Sequence, residues 1–149
     1  MKSDTYRSNV IDHLLGNVSF TPPATLYAAL YTVAPTESGG GVEVSGGSYA
    51  RVSVTNNLTN FPAATLGTKS NGTSIVFPTA TASWGQVTSF GLHSHATNDA
   101  LVVWGMLDDE LVVTNGTTPT AQESQGVGTT PTVIEKAGGN GTVAGVVSG

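Results

Sequence analysis

The chain contains no cysteine, which excludes disulfide bonds and thiolate metal sites. Charged residues are also scarce: they make up 10% of the 149 residues, against about 25% in an average soluble domain. The chain carries instead 19 glycines and many threonine, serine and asparagine residues. We therefore expect a surface of hydroxyl and amide groups, which suits a β-rich protein or one that packs against others.

Among the charged residues, the positively charged ones are the scarcer. Five lysines and arginines stand against ten acidic residues, so the net charge is −5, and the basic residues are scattered from Lys2 to Lys136. No basic patch is available to neutralise phosphates. The sequence therefore predicts neither a nucleic-acid partner nor an anionic membrane partner.

Long apolar runs are absent as well. No run reaches 18 apolar residues, and the N-terminus, MKSDTYRSNV, has no apolar core of the signal-peptide type. The sequence predicts a protein made in the cytoplasm and not exported by the secretory route. Its length suits one domain, or one domain plus a tail.

One short helix is predicted near the N-terminus, over residues 4 to 15. Its apolar residues fall on one stripe at helical spacing: Tyr6, Val10, Ile11, Leu14 and Leu15. Ser3 or Asp4 can cap the start, and Gly16 can terminate the helix.

Most of the chain after this helix is predicted to be β structure. The run from residue 24 to 33 is apolar on both faces, which is typical of a sandwiched or interface strand. Further strands are predicted over residues 48 to 56, 73 to 77, 86 to 94, 100 to 107 and 110 to 114. Asp108 and Asp109 are predicted to form a turn between the last two. This spacing indicates an antiparallel β-sandwich or barrel-like domain.

The β signal fades towards the C-terminus. Residues 120 to 149 are rich in glycine, threonine and serine and contain no aromatic residue. We predict an extended arm or tail there. The predicted organisation is a helix plus a β domain over residues 1 to 119, followed by an arm over residues 120 to 149.

Two histidines form the first candidate site. His93 and His95 share one face of a predicted strand, and such a pair can bind zinc if a third ligand arrives from elsewhere. The possible third ligands are Asp99, Asp108, Asp109, Glu110 and His13. The alternative, which we favour, is two half-exposed side chains at the end of a hairpin. Adjacent acids such as Asp108 and Asp109 usually point into water, so no catalytic residue is predicted.

A second candidate is the pair Glu43 and Arg51, which flank a glycine turn in EVSGGSYAR. If the two segments pair, a Glu–Arg contact could fix the loop. The alternative is two solvent-exposed charges that contribute little.

The order of motifs along the chain resembles a family of small tailed-bacteriophage proteins described as tail-fibre-like or virion structural. The motifs are NVIDHLLG, TPPATLYAALYT, EVSGGSYARV, NFPAAT, KSNGTSIVFPTATASWGQVTSFGLH and LVVWGML, and the resemblance covers residues 5 to 119. It implies a non-enzymatic, β-rich component of a phage particle, without specifying which part. In related sequences an apolar strand follows the TPT region, whereas TPTAQESQGVG predicts none here.

Within such a particle we expect a capsid decoration (cement) protein that bridges capsomers, because the size suits one accessory domain, the charge is low as for packed copies, and the C-terminal arm could lie across a neighbouring subunit. The expected partners are the major capsid protein or other virion proteins. Homo-oligomers and no cofactor are expected. Contact residues are predicted at Tyr27, Tyr31, Arg51 and Trp84. For the three aromatic residues the alternative, which we favour, is packing in the core. The alternative is a tail or tail-fibre component involved in host attachment. A third hypothesis is a metal-dependent enzyme that uses His93, His95 and an acid.

Overall fold

The computed structural model describes residues 1–98, 100–122, 132–136 and 142–145. The elements in chain order are α1 (Asp4–Gly16), β1 (Thr25–Val33), β2 (Val42–Glu43), β3 (Val52–Thr55), β4 (Ile75–Val76), β5 (Gly85–His93), β6 (Leu101–Val113), β7 (Pro119–Ala121), β8 (Thr132–Lys136) and β9 (Thr142–Gly145). The candidate ligand Asp99 and three parts of the predicted arm, at 123–131, 137–141 and 146–149, lie outside the described residues.

The N-terminal helix α1 is confirmed. Ser3 caps it, with its side-chain oxygen accepting from the Tyr6 N–H, and the helix ends at Asn17, which adopts the left-handed conformation expected of Gly16. No residue of α1 is buried, so its apolar stripe does not face the core. Instead, the Asp4 N–H donates to the Glu37 carbonyl oxygen at 2.8 Å, which attaches the start of α1 to the loop after β1. Among the described residues, no helix is both long and apolar enough to cross a membrane.

The β structure is antiparallel throughout, as predicted. The strand order is β2-β1-β5-β6-β9-β8-β7-β4, and β3 also pairs with β1. The edge strand β4 lies against β3. The sheet therefore curves back on itself around one core, as in a barrel-like domain.

Strand β1 is buried on both faces, as its apolar sequence predicts. One face carries Leu26, Ala28 and Leu30 into the main core. The other carries Ala29 and Tyr31, which are also buried. The main core consists of Leu26, Ala28, Leu30, Val44, Val54, Phe61, Ile75, Phe77, Ala80, Trp84, Val87, Leu107, Leu111, Val113 and Ala121.

The predicted turn at Asp108 and Asp109 is wrong, because β6 continues through both residues. The pairing with β5 shifts there: Ser89 lies opposite Met106, whereas Val87 lies opposite Leu111. Four residues of β6, 107 to 110, therefore stand opposite Thr88 alone, as in a large β-bulge. The extra residues let Asp108, Asp109 and Glu110 project into water, while Leu107 and Leu111 stay buried. Exposure of these acids was expected.

Three strands lie in the C-terminal region where the sequence predicts none. Strand β7 pairs with β4 and β8, and β8 pairs with β9. Strand β9 in turn pairs with β6 at Leu107 and Gly145. Strand β8 begins only after the TPTAQESQGVG segment, whose residues 123 to 128 lie outside the described residues, so the lack of an apolar strand in that segment stays a prediction. The glycine-rich loop of residues 36 to 47 also contains an unpredicted strand, β2, which pairs with the end of β1.

Candidate functional site

The connection between β5 and β6 forms an exposed hairpin tip, defined here as residues 94–98 and Ala100. The Ser94 N–H donates to the Ala100 carbonyl oxygen at 2.9 Å, and the Ala100 N–H donates to that of Asn98 at 3.0 Å. The side chains of residues 95 to 98 are exposed. A polar loop at the end of the β5–β6 hairpin is therefore available for contact with another molecule.

Two short strands side by side along β1 bring Glu43 and Arg51 together. Glu43, at the end of β2, lies directly opposite Tyr31. Strand β3 pairs with the first half of β1, on the same side as β2, with Val52 opposite Ala28. Arg51, just before β3, therefore reaches the same face of the sheet as Glu43, although eight positions separate the two in sequence.

Arg51 joins this edge to the hairpin tip. Its Nε and Nη2 atoms donate to the two carboxylate oxygens of Glu43 at 2.8 and 2.7 Å, which makes the pair bidentate. Its Nη1 donates to the backbone carbonyl oxygens of His95 at 2.8 Å and Asn98 at 2.9 Å. The predicted Glu–Arg contact is confirmed, and the same guanidinium also fixes the backbone of the tip.

Tyr49 completes this group, which we call the Arg51 cluster (Glu43, Tyr49 and Arg51). Its hydroxyl donates to Glu43 Oε1 at 2.8 Å and accepts from the Leu30 N–H at 3.0 Å. Leu30 stands where the pairing of β1 passes from β3 to β2. The phenol therefore satisfies a backbone donor that faces the gap between two strands.

Burial and pairing set the charge states in the cluster. Burial alone would raise the pKa of Glu43, but hydrogen bonds from Arg51 and Tyr49 hold that pKa below its ordinary value. The hydrogen bonds to Glu43 raise the pKa of Arg51. Burial is the main cause that raises the pKa of Tyr49. The ion pair is therefore charged at neutral pH, and only 8% of the Arg51 side chain is exposed.

The two histidines do not form a pair on one face. His93 ends β5 and is 1% exposed, with its Nε2 2.5 Å from the Tyr31 hydroxyl oxygen. His95 lies beyond the strand and is exposed, with its Nδ1 2.9 Å from the Ser94 hydroxyl oxygen. The prediction of two half-exposed side chains is wrong for His93, because its ring is enclosed against Tyr31 of the neighbouring strand β1.

The described residues do not bring three metal-ligating side chains together. Asp108, Asp109 and Glu110 lie in the bulge of β6. The third histidine, His13, lies on α1, where its Nδ1 is 2.9 Å from the Val18 carbonyl oxygen. His93 is enclosed and His95 is exposed, so the two rings do not share one face as the zinc hypothesis requires.

The three aromatic residues predicted as contact residues divide into two groups. Tyr31 is 3% exposed and Trp84 5%, so both are corrected to core residues. The Trp84 Nε1–H donates to the Gly47 carbonyl oxygen at 2.9 Å, and the tryptophan ring meets Tyr49 edge to face at 5.3 Å. A Cβ on Gly47 would lie 2.8 Å from Trp84 Nε1, so glycine is needed for this approach. Tyr27 is half-buried, and its role as a contact residue stays a prediction.

The sequence did not reveal Tyr49 or the hold of Arg51 on the tip. Tyr49 lies in the same EVSGGSYAR segment as Glu43 and Arg51, so a third polar group in that segment was the available signal. The tip contact had no local signal, because 44 and 47 positions separate Arg51 from the two carbonyl groups that it binds.

The fold and the site define an antiparallel β protein that presents a loop braced from within, an arrangement typical of structural and binding proteins. A family model described as podophage GP4 fiber I protein gp80 matches residues 1–128, and the chain belongs to this family. This confirms the resemblance to tailed-phage virion proteins, so the chain is a structural component of a phage virion, assembled after synthesis in the host. None of the curated proteins compared with the chain matches it.

Proposed function

We propose that the chain is part of the tail-fibre apparatus of a tailed phage rather than a capsid decoration protein. The observation that carries this proposal is the match of residues 1–128 to a family described as a fiber protein. The capsid hypothesis rested on size, low surface charge and a C-terminal arm, and none of these features distinguishes a head protein from a fibre protein. The partners in this proposal are other virion proteins and further copies of the chain.

The proposed role of the hairpin tip is contact with the host surface. Its exposed side chains, including His95 and Asn98, stand on a backbone that Arg51 fixes at two carbonyl oxygens. A loop held in one conformation loses less conformational freedom on binding than a free loop does. The side chains of the tip are therefore open to a partner, and its backbone is already held in one conformation before binding.

Adsorption measurements on assembled phage test this role. Particles carrying His95→Ala and Asn98→Ala together should assemble normally and adsorb to host cells more slowly. The matched control is Asp109→Asn, which changes an exposed polar side chain in the bulge of β6. Normal adsorption by the tip variant would show that host contact lies elsewhere.

We also propose that the chain is not an enzyme and binds no catalytic metal. The separation of the buried His93 from the exposed His95 supports this proposal. Elemental analysis of the purified protein should find no stoichiometric transition metal. A bound metal that is lost in the His95→Ala variant would overturn the proposal in favour of the metal-enzyme hypothesis.

A further inference from the structure

An apolar cavity of about 390 Å³ lies beside the main core. Its walls include Leu26, Leu30, Phe61, Phe77, Phe90 and Leu92. This volume falls within the range of about 300–1,000 Å³ that is usual for small-molecule sites. The cavity is therefore large enough to hold a ligand.

The far wall of this cavity is braced by a buried amide. Asn71 Nδ2 donates to the carbonyl oxygens of Thr73 at 2.9 Å and Gln122 at 2.8 Å, which ties the residues before β4 to the end of β7. Four of the lining residues, Ala28, Ala29, Ala64 and Ala121, have only a methyl side chain. A braced wall and short side chains keep the space open, because the surrounding structure cannot easily collapse into it.

Positive charge is concentrated at this cavity. Two of the five basic residues of the chain, Lys2 and Lys69, line it. In the described part of the chain, Arg7 and Arg51 are paired with carboxylates, whereas neither of these lysines forms a salt bridge. Lys2 is positioned by a β-bridge to Val103, and Lys69 follows the tight turn between Thr65 and Thr68. Both lysines are exposed and available to an external anion.

We propose that the cavity binds a medium-chain fatty acid, with the alkyl chain against the apolar walls and the carboxylate beside Lys2 and Lys69. An apolar cavity offers water few hydrogen-bond partners, so replacing water with an alkyl chain is favourable. The two ammonium groups select an anionic head over a neutral one. This site is separate from the hairpin tip, and the proposal does not depend on the function proposed above.

Displacement of a fluorescent fatty acid from the purified full chain tests the proposal. The probe is 11-(dansylamino)undecanoic acid, and the competitors are dodecanoate, decanoate and the neutral dodecanol. Dodecanoate should displace the probe at a single saturable site, about tenfold more tightly than decanoate because two methylene groups are lost. It should also bind more tightly than dodecanol.

Two sets of variants separate the contributions of charge and cavity. The double variant Lys2→Gln/Lys69→Gln should remove the preference for dodecanoate over dodecanol, whereas Arg7→Gln, an exposed cation outside the cavity, should leave it unchanged. Ala28→Leu should fill the cavity and abolish binding of both ligands, with circular dichroism confirming the fold. If that variant does not fold, Ala64→Leu at the exposed rim takes its place.

Three results would overturn the proposal: no saturable probe binding by the wild-type chain, equal affinity for dodecanoate and dodecanol, or an unchanged preference in the double lysine variant. Concentration-dependent self-association that Ala28→Leu abolishes, without probe binding, would assign the cavity to a second copy of the chain instead.

Discussion

Arg51 makes most of the contacts that define the site. It binds both oxygens of Glu43 and two carbonyl oxygens of the hairpin tip. The other arginine, Arg7, also pairs with two carboxylates, Asp4 and Glu37, but its side chain is 43% exposed. The two arginines therefore allow a direct comparison of a buried ion pair with an exposed one.

Arg51→Met should lower the free energy of unfolding by about 1–3 kcal/mol, because it leaves Glu43 and two carbonyl groups without their donor. Arg7→Met should change it by less than about 1 kcal/mol, since exposed pairs contribute little. Urea unfolding of both variants measures the difference. Equal effects would mean that the Arg51 cluster is not a stabilising centre.

Arg51→Lys should not restore the wild-type value, because an ammonium group cannot form the bidentate pair.

The same cluster predicts a dependence of stability on pH. The folded-state pKa of Glu43 lies below its ordinary value of 4.5, mainly through Arg51, although burial opposes this shift. A carboxylate with a lowered pKa stabilises the fold fully above its ordinary pKa, and this contribution is lost as the pH falls through the folded-state pKa. The difference in unfolding free energy between the wild type and Glu43→Gln should therefore be constant near neutral pH and shrink below about pH 4.5. In the Arg51→Met background this pH-dependent difference should largely disappear.

The two histidines should respond differently to substitution. His93→Ala removes a buried ring and its hydrogen bond with Tyr31, so we expect a loss of about 2 kcal/mol or more in unfolding free energy. His95→Ala removes an exposed side chain and should stay within about 0.5 kcal/mol of the wild type. Thermal or urea unfolding checks both values. Similar losses for the two variants would contradict the separation of the pair.

At the level of secondary-structure elements, the sequence predicts best where the pattern is local. The cap at Ser3 and the strand β1 follow from neighbouring residues, and both are confirmed. A turn was predicted at Asp108 and Asp109 because adjacent acids are common in turns. The structure instead exposes both residues through a bulge within the continuous strand β6. Strand β2 was missed because its two residues lie among glycines and depend on pairing with β1.

The candidate site was predictable only in part, for the same reason. The Glu43–Arg51 pair lies within one short segment, so its contact could be anticipated. The burial of His93 could not be anticipated, because its partner Tyr31 lies on a neighbouring strand, 62 positions away in sequence. Contacts of this kind depend on which strands pair, and residue spacing in one sequence does not determine that.

The C-terminal elements give a prediction about where the folded core ends. The part of the chain up to Gln122 contains a main core of its own, which extends as far as Ala121 among the side chains that the structure describes, and Asn71 binds the carbonyl oxygen of Gln122. Deletion of residues 123 to 149 should therefore leave a cooperatively folded protein. Deletion of residues 120 to 149 removes Ala121 and the Gln122 acceptor, and should cost about 1–3 kcal/mol more.

Thermal unfolding of the two truncated proteins measures this difference. Equal melting temperatures would show that β7 contributes nothing to the core. Loss of cooperative unfolding in the shorter deletion would show that β8 and β9 are required for folding.

At the level of the whole molecule, family membership fixes the virion as its destination, and the position within the particle is the central proposal. Head and tail proteins differ in number, because a decoration protein follows the capsid lattice whereas a fibre component occupies only the tail. Self-association, which both hypotheses expect, does not separate them. Position and copy number do.

A reconstruction of the intact particle in which the chain is located tests the proposal most directly. We predict density for the β domain in the fibres attached to the tail, with a handful to dozens of copies per particle and the hairpin tip accessible from outside. Density for hundreds of copies on the capsid surface would contradict the proposal and restore the decoration hypothesis.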